Sequence, residues 1–239
     1  MIYILLPAYN EEAALRQLIP DLDKTLKPLG RPYRIVVVDD GSRDGTVALL
    51  QDFAKNIPVE LVRHTQNSGY GAAIKTGIFW VVQNGRPEDI AITMDADTTH
   101  SPSYIPALIQ KLKDGFDMAT ASYTVPGGKA HGVPFKRRVF SWGANTLLRL
   151  RFHFPGVTTY TNGYRAYRVA GLQTAYQRYG DRLIEETNFS GGAELFIKTA
   201  RSGAKVGEVP FELHYELRGG ASKINIPRTI RCYLRLLTR

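Results

Sequence analysis

Ile90-Ala91-Ile92-Thr93-Met94-Asp95-Ala96-Asp97 is an apolar run that ends in two carboxylates separated only by an alanine. In an extended chain residues two apart point the same way, so Asp95 and Asp97 project together from the end of a strand. That arrangement suits a divalent cation, although a solvated strand-to-loop turn is the plainer reading of an isolated pair. The fold turns on this run because it is the fourth of its kind. Residues 2–6, 33–38 and 59–62 are also short apolar runs, and helical spacing follows each of the four, over 11–26, 46–54, 69–82 and 104–113. Four β-α units in succession predict an α/β fold with a mainly parallel sheet flanked by helices and joined by right-handed crossovers.

In such sheets ligands bind beyond the carboxyl ends of the strands. Those ends carry Pro7-Ala8-Tyr9-Asn10-Glu11, Asp39-Asp40-Gly41-Ser42, His64-Thr65-Gln66-Asn67-Ser68-Gly69 and Asp95-Ala96-Asp97, so carboxylates collect on one rim. Asp44 is placed to cap the helix that starts at Thr46. Other common sites are absent. Gly69-Tyr70-Gly71-Ala72-Ala73-Ile74 lacks the third glycine of a dinucleotide fingerprint, and there is no phosphate-loop lysine, H-E-x-x-H or G-x-S-x-G. The five histidines, at 64, 100, 131, 153 and 214, show no ligand spacing along the chain.

The charge is unevenly divided. Residues 1–117 hold 12 basic and 15 acidic side chains, a balance of −3, whereas residues 118–239 hold 19 and 7, a balance of +12. Stretch 118–180 has nine basic residues and no acid, and 218–239 has six and none, which points to a polyanionic partner: nucleic acid, anionic lipid or a phosphorylated substrate. Nucleic acid is the weakest of these, because no recognised module accompanies the basic stretches and a carboxylate rim repels phosphates without a metal. The turn-rich stretch 125–134 reads as a lid or acceptor loop, 136–151 as a helix with Lys136-Arg137-Arg138 at its start, 192–201 as a helix containing Glu194, and 204–213 as a strand. Arg218-Gly219-Gly220-Ala221-Ser222-Lys223 has a composition suited to phosphate. From Pro227 a helix with Ile226, Ile230, Tyr233, Leu234 and Leu237 on one face and Arg228, Arg231, Arg235 and Arg239 on the other reads equally as interfacial or as packed on the body.

Aspartates prefer hard cations such as Mg2+ or Mn2+, which in turn bind diphosphates. Beside a basic half, this suggests group transfer from a nucleotide-activated donor. Pro7-Ala8-Tyr9-Asn10-Glu11, Val38-Asp39-Asp40-Gly41-Ser42-x-Asp44-Gly45-Thr46, Asn67-x-Gly69-x-Gly71-Ala72 and Met94-Asp95-Ala96-Asp97, in that order, resemble the inverting family 2 glycosyltransferases of the GT-A fold. Lys136-Arg137-Arg138, Ser141-x-Gly143-Ala144-Asn145, Asn162-Gly163-Tyr164-Arg165-Ala166-Tyr167-Arg168, Glu208-Val209-Pro210 and Arg218-x-Gly220-x-Ser222-Lys223 resemble the polyprenol-phosphate sugar transferase branch, typified by dolichol-phosphate mannose synthases. The resemblance implies that Pro7, Tyr9, Glu11 and Asp39 hold the nucleoside of a UDP- or GDP-sugar, with Asp95 against it near the metal. It implies that Asp97 ligates Mg2+ or Mn2+ on the diphosphate, that Arg137 and Ser141 receive the acceptor phosphate, and that Ser222 with Lys223 closes over the phosphates. The sequence departs from the branch at Thr99, Tyr123 and Thr159, where glutamine, arginine and aspartate are common.

The expected organisation is a GT-A domain over 1–217, with a nucleotide-sugar half (1–117) and an acceptor half (118–217), then a basic motif and amphipathic tail over 218–239. The leading expectation is a single displacement in which an acceptor phosphate attacks the sugar as the nucleoside diphosphate leaves. A hydroxyl acceptor would instead need a base, for which Glu194, or else Asp117 or Glu185, is the candidate. A non-catalytic nucleotide-sugar or membrane-surface binding protein is the reading from another class. One cysteine, Cys232, the lack of a basic leader and the lack of any run of about 18 apolar residues predict a cytoplasmic protein that meets a lipid-phosphate acceptor peripherally, at an anionic membrane surface. A membrane protein is a further expected partner.

Overall fold

The computed structural model describes residues 1–217 and 226–238, and of residue 226 only the backbone. Strands β1 (Ile2–Ala8), β2 (Tyr33–Asp39), β3 (Val59–Arg63) and β4 (Ile90–Thr93) alternate with helices α1 (Glu12–Leu26), α2 (Thr46–Phe53), α3 (Tyr70–Asn84) and α4 (Ile105–Lys113). All four strands run parallel in the order β3-β2-β1-β4. The chain continues through β5 (Met118–Ser122), β6 (Lys129–His131), α5 (Phe135–Phe152), β7 (Arg165–Arg168), α6 (Val169–Tyr179), α7 (Ser190–Arg201), β8 (Val206–Pro210), β9 (Glu212–His214) and α8 (Ile226–Leu236). The full sheet is β3-β2-β1-β4-β7-β5-β8, mainly parallel as expected, with β7 antiparallel to both neighbours.

The strands are apolar on both faces because both are covered. Ile2, Ile4, Leu6, Ile35, Val37 and Ile92 pack under α1 and α4. Tyr3, Leu5, Val36 and Ala91 pack under α3, α6 and α7. This three-layer packing explains why the early strands lack alternation.

The sheet joins the two expected halves of the chain, since β7 is inserted between β4 and β5. Neither β5 nor β7 was expected from the sequence. Met-Ala-Thr-Ala-Ser and Arg-Ala-Tyr-Arg carry little β-branched bulk, and Arg165 is buried only because three acceptors receive it: the Gly192 and Tyr160 carbonyls at 2.8 and 2.6 Å and the Thr120 hydroxyl at 3.3 Å. The strand expected over 204–213 is two strands. Pro210 has no N–H to extend the ladder, and after it the chain leaves β5 and pairs with β6 in a separate two-stranded ribbon. The expected loop 125–134 therefore contains a strand. Ser222 and Lys223 lie outside the described residues.

Candidate active site

The carboxyl ends of β1, β2 and β4 open onto a cleft of about 440 Å3, closed on its other side by α5, the β9 end and α8. Pro7, Tyr9 and Glu11 line it from the end of β1, Asp95 and Asp97 from the end of β4, and Arg137 and Ser141 from the first two turns of α5. Carboxylates and cations thus face one cavity. Asp39 is fully buried, accepts the Ser42 N–H at 3.1 Å and lies 3.4 Å from Arg63 Nε. It sits beneath a neighbouring hollow, lined by Ser42 and Arg63, that shares Tyr9 and Asn67 with the cleft.

The carboxylate pair is held by its surroundings. Asp97 Oδ1 accepts the Thr99 hydroxyl at 2.6 Å, Asp95 Oδ1 accepts the Tyr70 hydroxyl at 3.0 Å, and the Asp95 N–H donates to His100 Nδ1 at 3.0 Å. Burial and the adjacent Asp95 push the Tyr70 phenol well above its ordinary value, so it remains a donor. Thr98, between the pair and Thr99, has φ +63, costly for a β-branched residue. Its hydroxyl lies 2.7 Å from the Asp97 carbonyl and 3.1 Å from that of Leu217. Strain of this kind is tolerated where the surroundings over-determine the backbone. Gly163 completes the packing, because a Cβ there would stand 2.7 Å from the Tyr70 hydroxyl and 3.3 Å from Asp95 Oδ1.

The donor set fits Mg2+ or Mn2+. Asp95 and Asp97 offer hard oxygens without nitrogen or sulfur, and two carboxylates are what such an ion takes from a protein when phosphate and water complete its shell.

Glu194 does not face the cleft. It is 1% exposed; Oε2 accepts the N–H groups of Glu185 and Glu186, both at 2.8 Å, and Oε1 accepts Lys198 Nζ at 2.7 Å. Oε2 anchors the start of the 185–188 loop and Oε1 holds Lys198 of the same helix, so the expectation of a base facing the cleft is corrected: Glu194 positions the loop whose Asn188 reaches the cleft. Asp117 binds the Lys205 N–H and Glu185 binds Lys198, and neither lines the cleft. Asp44 is not the cap expected of it: the N-cap of α2 is Gly45, and Asp44, one residue earlier, accepts the Thr46 N–H at 3.0 Å and so fixes the turn that leads into the helix.

The motifs along β1, β2, α3 and β4 fall within a wider match: the model of the Glycosyl transferase family 2 matches residues 3–174. The chain belongs to this family. It is 33% identical over 240 residues to a dolichol-phosphate mannosyltransferase of Pyrococcus furiosus, covering 99% of this chain but 62% of that protein. It is 31% identical to a polyprenol monophosphomannose synthase of Mycolicibacterium smegmatis, over 93% of this chain and 80% of that one. An undecaprenyl-phosphate mannosyltransferase of Micrococcus luteus is 30% identical, over 92% and 86%. In fold the chain is similar to glucosyl-3-phosphoglycerate synthase of Mycobacterium tuberculosis, solved with Mn2+, UDP and glucosyl-3-phosphoglycerate: TM-score 0.66, 18% identity, 99% of this chain and 79% of that one. This family 2 glycosyltransferase has the GT-A fold.

Several residues in and around the cleft were not singled out from the sequence. Tyr70, Thr98 and His100 are tied to the Asp95–Asp97 segment by hydrogen bonds that only the folded loops create. Tyr215 hydrogen-bonds Arg137 at 3.1 Å and lies beneath its guanidinium, 4.8 Å from ring centroid to Cζ. Arg228, expected on the outer face of the tail helix, lines the cleft, while Thr229, Cys232, Tyr233 and Leu236 are buried on the body. The residues at the three departures are hydroxyls with partners: Thr99 on Asp97, Tyr123 on Ser141 at 2.8 Å, and Thr159 on Ser122 at 2.7 Å.

Proposed function

We propose that this chain moves a sugar from a nucleotide-sugar to a polyprenyl phosphate at a membrane surface, by one displacement that inverts the anomeric carbon. The single observation that carries the reading is the composition of the cleft: the Asp95–Asp97 pair on one wall, and Arg137, Ser141 and Arg228 on the wall opposite. A donor diphosphate belongs with the first wall and an anionic acceptor with the second.

Pro7, Tyr9 and Glu11, with the buried Asp39 beneath the adjoining hollow, would hold the nucleoside, and Asp95 and Asp97 would hold Mg2+ or Mn2+. When bound, the ion supplies positive charge where the leaving diphosphate gathers negative charge. Arg137, held edge and face by Tyr215, presents its guanidinium fork to the acceptor phosphate, and the Ser141 hydroxyl beside it adds a hydrogen bond. Ser222 and Lys223 are assigned to the phosphates on the strength of the motif alone. No general base is required, because a phosphomonoester with a second pKa of about 6 is already mostly dianionic at neutral pH. With Glu194 locked under the 185–188 loop, a phosphate acceptor is favoured over a hydroxyl. The relatives named for dolichol-, polyprenol- and undecaprenyl-phosphate support the same acceptor class.

Among the described residues no helix is long and apolar enough to cross a membrane. The outer faces of α5 and α8 nonetheless expose Phe135, Trp142, Leu150, Ile230 and Leu234, interleaved with Lys136, Arg138, Arg149 and Arg231. Apolar side chains in a basic surround suit the anionic interface of a bilayer. The test is to incubate the purified chain with Mn2+, UDP- or GDP-sugars and a short polyprenyl phosphate in anionic vesicles, scoring product mass and sedimentation with the vesicles. A glycosylated polyprenyl phosphate with co-sedimenting enzyme is expected. Transfer only to hydroxyl acceptors, or turnover with no vesicle binding, would refute the acceptor or the membrane part respectively.

A further inference from the structure

The ribbon of β6 and β9 carries a second group of ligand-type side chains, away from the cleft. His131 and His214 are register partners across its two parallel strands, and Glu212 lies two residues before His214, so all three share one face. Their ligand atoms lie within 4.8 Å of one another. Glu212 Oε2 is 3.2 Å from His131 Nε2 and 3.8 Å from His214 Nε2. The two imidazoles are stacked, with ring centroids 4.8 Å apart and planes 8° apart. Leu213, which alternates with Glu212 and His214, lines the cleft, as do Val133 and Tyr215 just beyond the strand ends.

We propose that His131, Glu212 and His214 bind a borderline divalent transition-metal ion, Zn2+ foremost, at a site distinct from the aspartate pair. Two imidazole nitrogens and one carboxylate oxygen are a ligand set that selects such an ion over Mg2+. Ligands around a tetrahedral ion at about 2.0–2.1 Å stand about 3.3 Å apart, so a small rotation of His214 closes the set. His214 is already oriented for the role. Its Nδ1 lies 2.8 Å from Glu216 Oε1 and, as the donor to that carboxylate, leaves the Nε2 lone pair directed at Glu212 Oε2. A cation held by both Nε2 and Glu212 Oε2 would bridge the 3.8 Å that separates them. Lys129 does not fill that place: it sits 3.5 Å from the other oxygen, Oε1, and leaves Oε2 to the imidazoles.

Local backbone geometry supports the outer carboxylate. Gly132, at φ +66, passes so close to Glu216 that a Cβ would lie 2.9 Å from its N and Oε2 atoms. The bound ion would clip the 125–134 loop to the segment after β8 and so fix one wall of the cleft from behind.

The test uses the full chain carrying Asp97→Asn, stripped with chelator, so that the cleft pair does not contribute. Co2+ is titrated by visible absorbance, Zn2+ is titrated in competition, and melting temperature is followed alongside. One equivalent of Co2+ with the bands of four-coordinate cobalt, displaced by Zn2+, is expected, together with a Zn2+-dependent rise in melting temperature. In His131→Gln and His214→Gln, checked for unchanged circular dichroism, affinity should fall at least tenfold. Glu212→Gln serves as the third variant if either histidine change fails to fold. An absence of saturable cobalt bands, or equal affinity in these variants, would mean that the three side chains form only a hydrogen-bonded ion-pair cluster, and would overturn the proposal.

Discussion

Glu194 and Asp97 are both carboxylates, yet their surroundings give them opposite work. Asp97 lines the cleft, where its Oδ1 accepts the Thr99 hydroxyl and N–H, whereas Glu194 satisfies two backbone N–H groups and a lysine in the interior. Exchanging Glu194→Gln leaves one acceptor oxygen for three donors, a loss of about 1–3 kcal/mol. The expected result is a lowered melting temperature, intact nucleotide binding and turnover within several-fold of the native protein below that temperature. Turnover reduced by about 10²–10⁴ with unchanged melting would instead make Glu194 a general base for a hydroxyl acceptor. The pair at 95 and 97 was legible in the sequence as two carboxylates that end an apolar strand, although β4 stops at Thr93 and it is the loop after it that brings both to the cleft. The burial of Glu194 was not, since it depends on how 185–186 folds back over α7. Nor was the His131–Glu212–His214 group, in which His131 stands 81 residues before Glu212 until two strands pair.

At the scale of elements, the first four strands were legible because residues buried on both faces must be apolar throughout. β5 and β7 were not, because their polar residues are made tolerable by partners in sequence-distant elements: Thr120 by Arg165, Ser122 by Thr159. Local turn chemistry was readable, and the start of α2 offers a test of it. Partial burial pushes the Asp44 carboxyl up, but the Thr46 hydroxyl and the N–H groups of Thr46 and Glu12 outweigh this and hold it below the usual carboxylate range. A carboxyl lowered in the folded state stabilises the fold above the unfolded value of about 3.9, and that contribution is lost as pH falls through the lower folded value. Melting temperatures measured from neutral pH downward should therefore show Asp44→Asn less stable at neutrality and converging on the native protein in acid. An equal neutral stability, or an offset that persists unchanged in acid, would show that the Asp44 carboxylate does not stabilise this turn.

The whole molecule divides its labour by charge, although not by sheet. The half with a balance of −3 supplies the aspartates and the half with +12 supplies Arg137 and Arg228, while one seven-stranded sheet runs through both. The charge asymmetry was visible in the sequence, but the shared sheet and the inward turn of Arg228 were not. They follow from β7 pairing with β4 and from Tyr233 and Cys232 packing α8 onto the body. On the proposed function the cleft's carboxylate pair holds a metal-bound nucleoside diphosphate. Calorimetric titration of UDP and of GDP into the chelator-treated chain, with and without Mn2+, measures this. One of the two nucleotides should bind at one equivalent only when Mn2+ is present, and Asp97→Asn should weaken this binding by at least tenfold while leaving melting temperature near that of the native chain. Equally tight binding without the metal, or in Asp97→Asn, would contradict it.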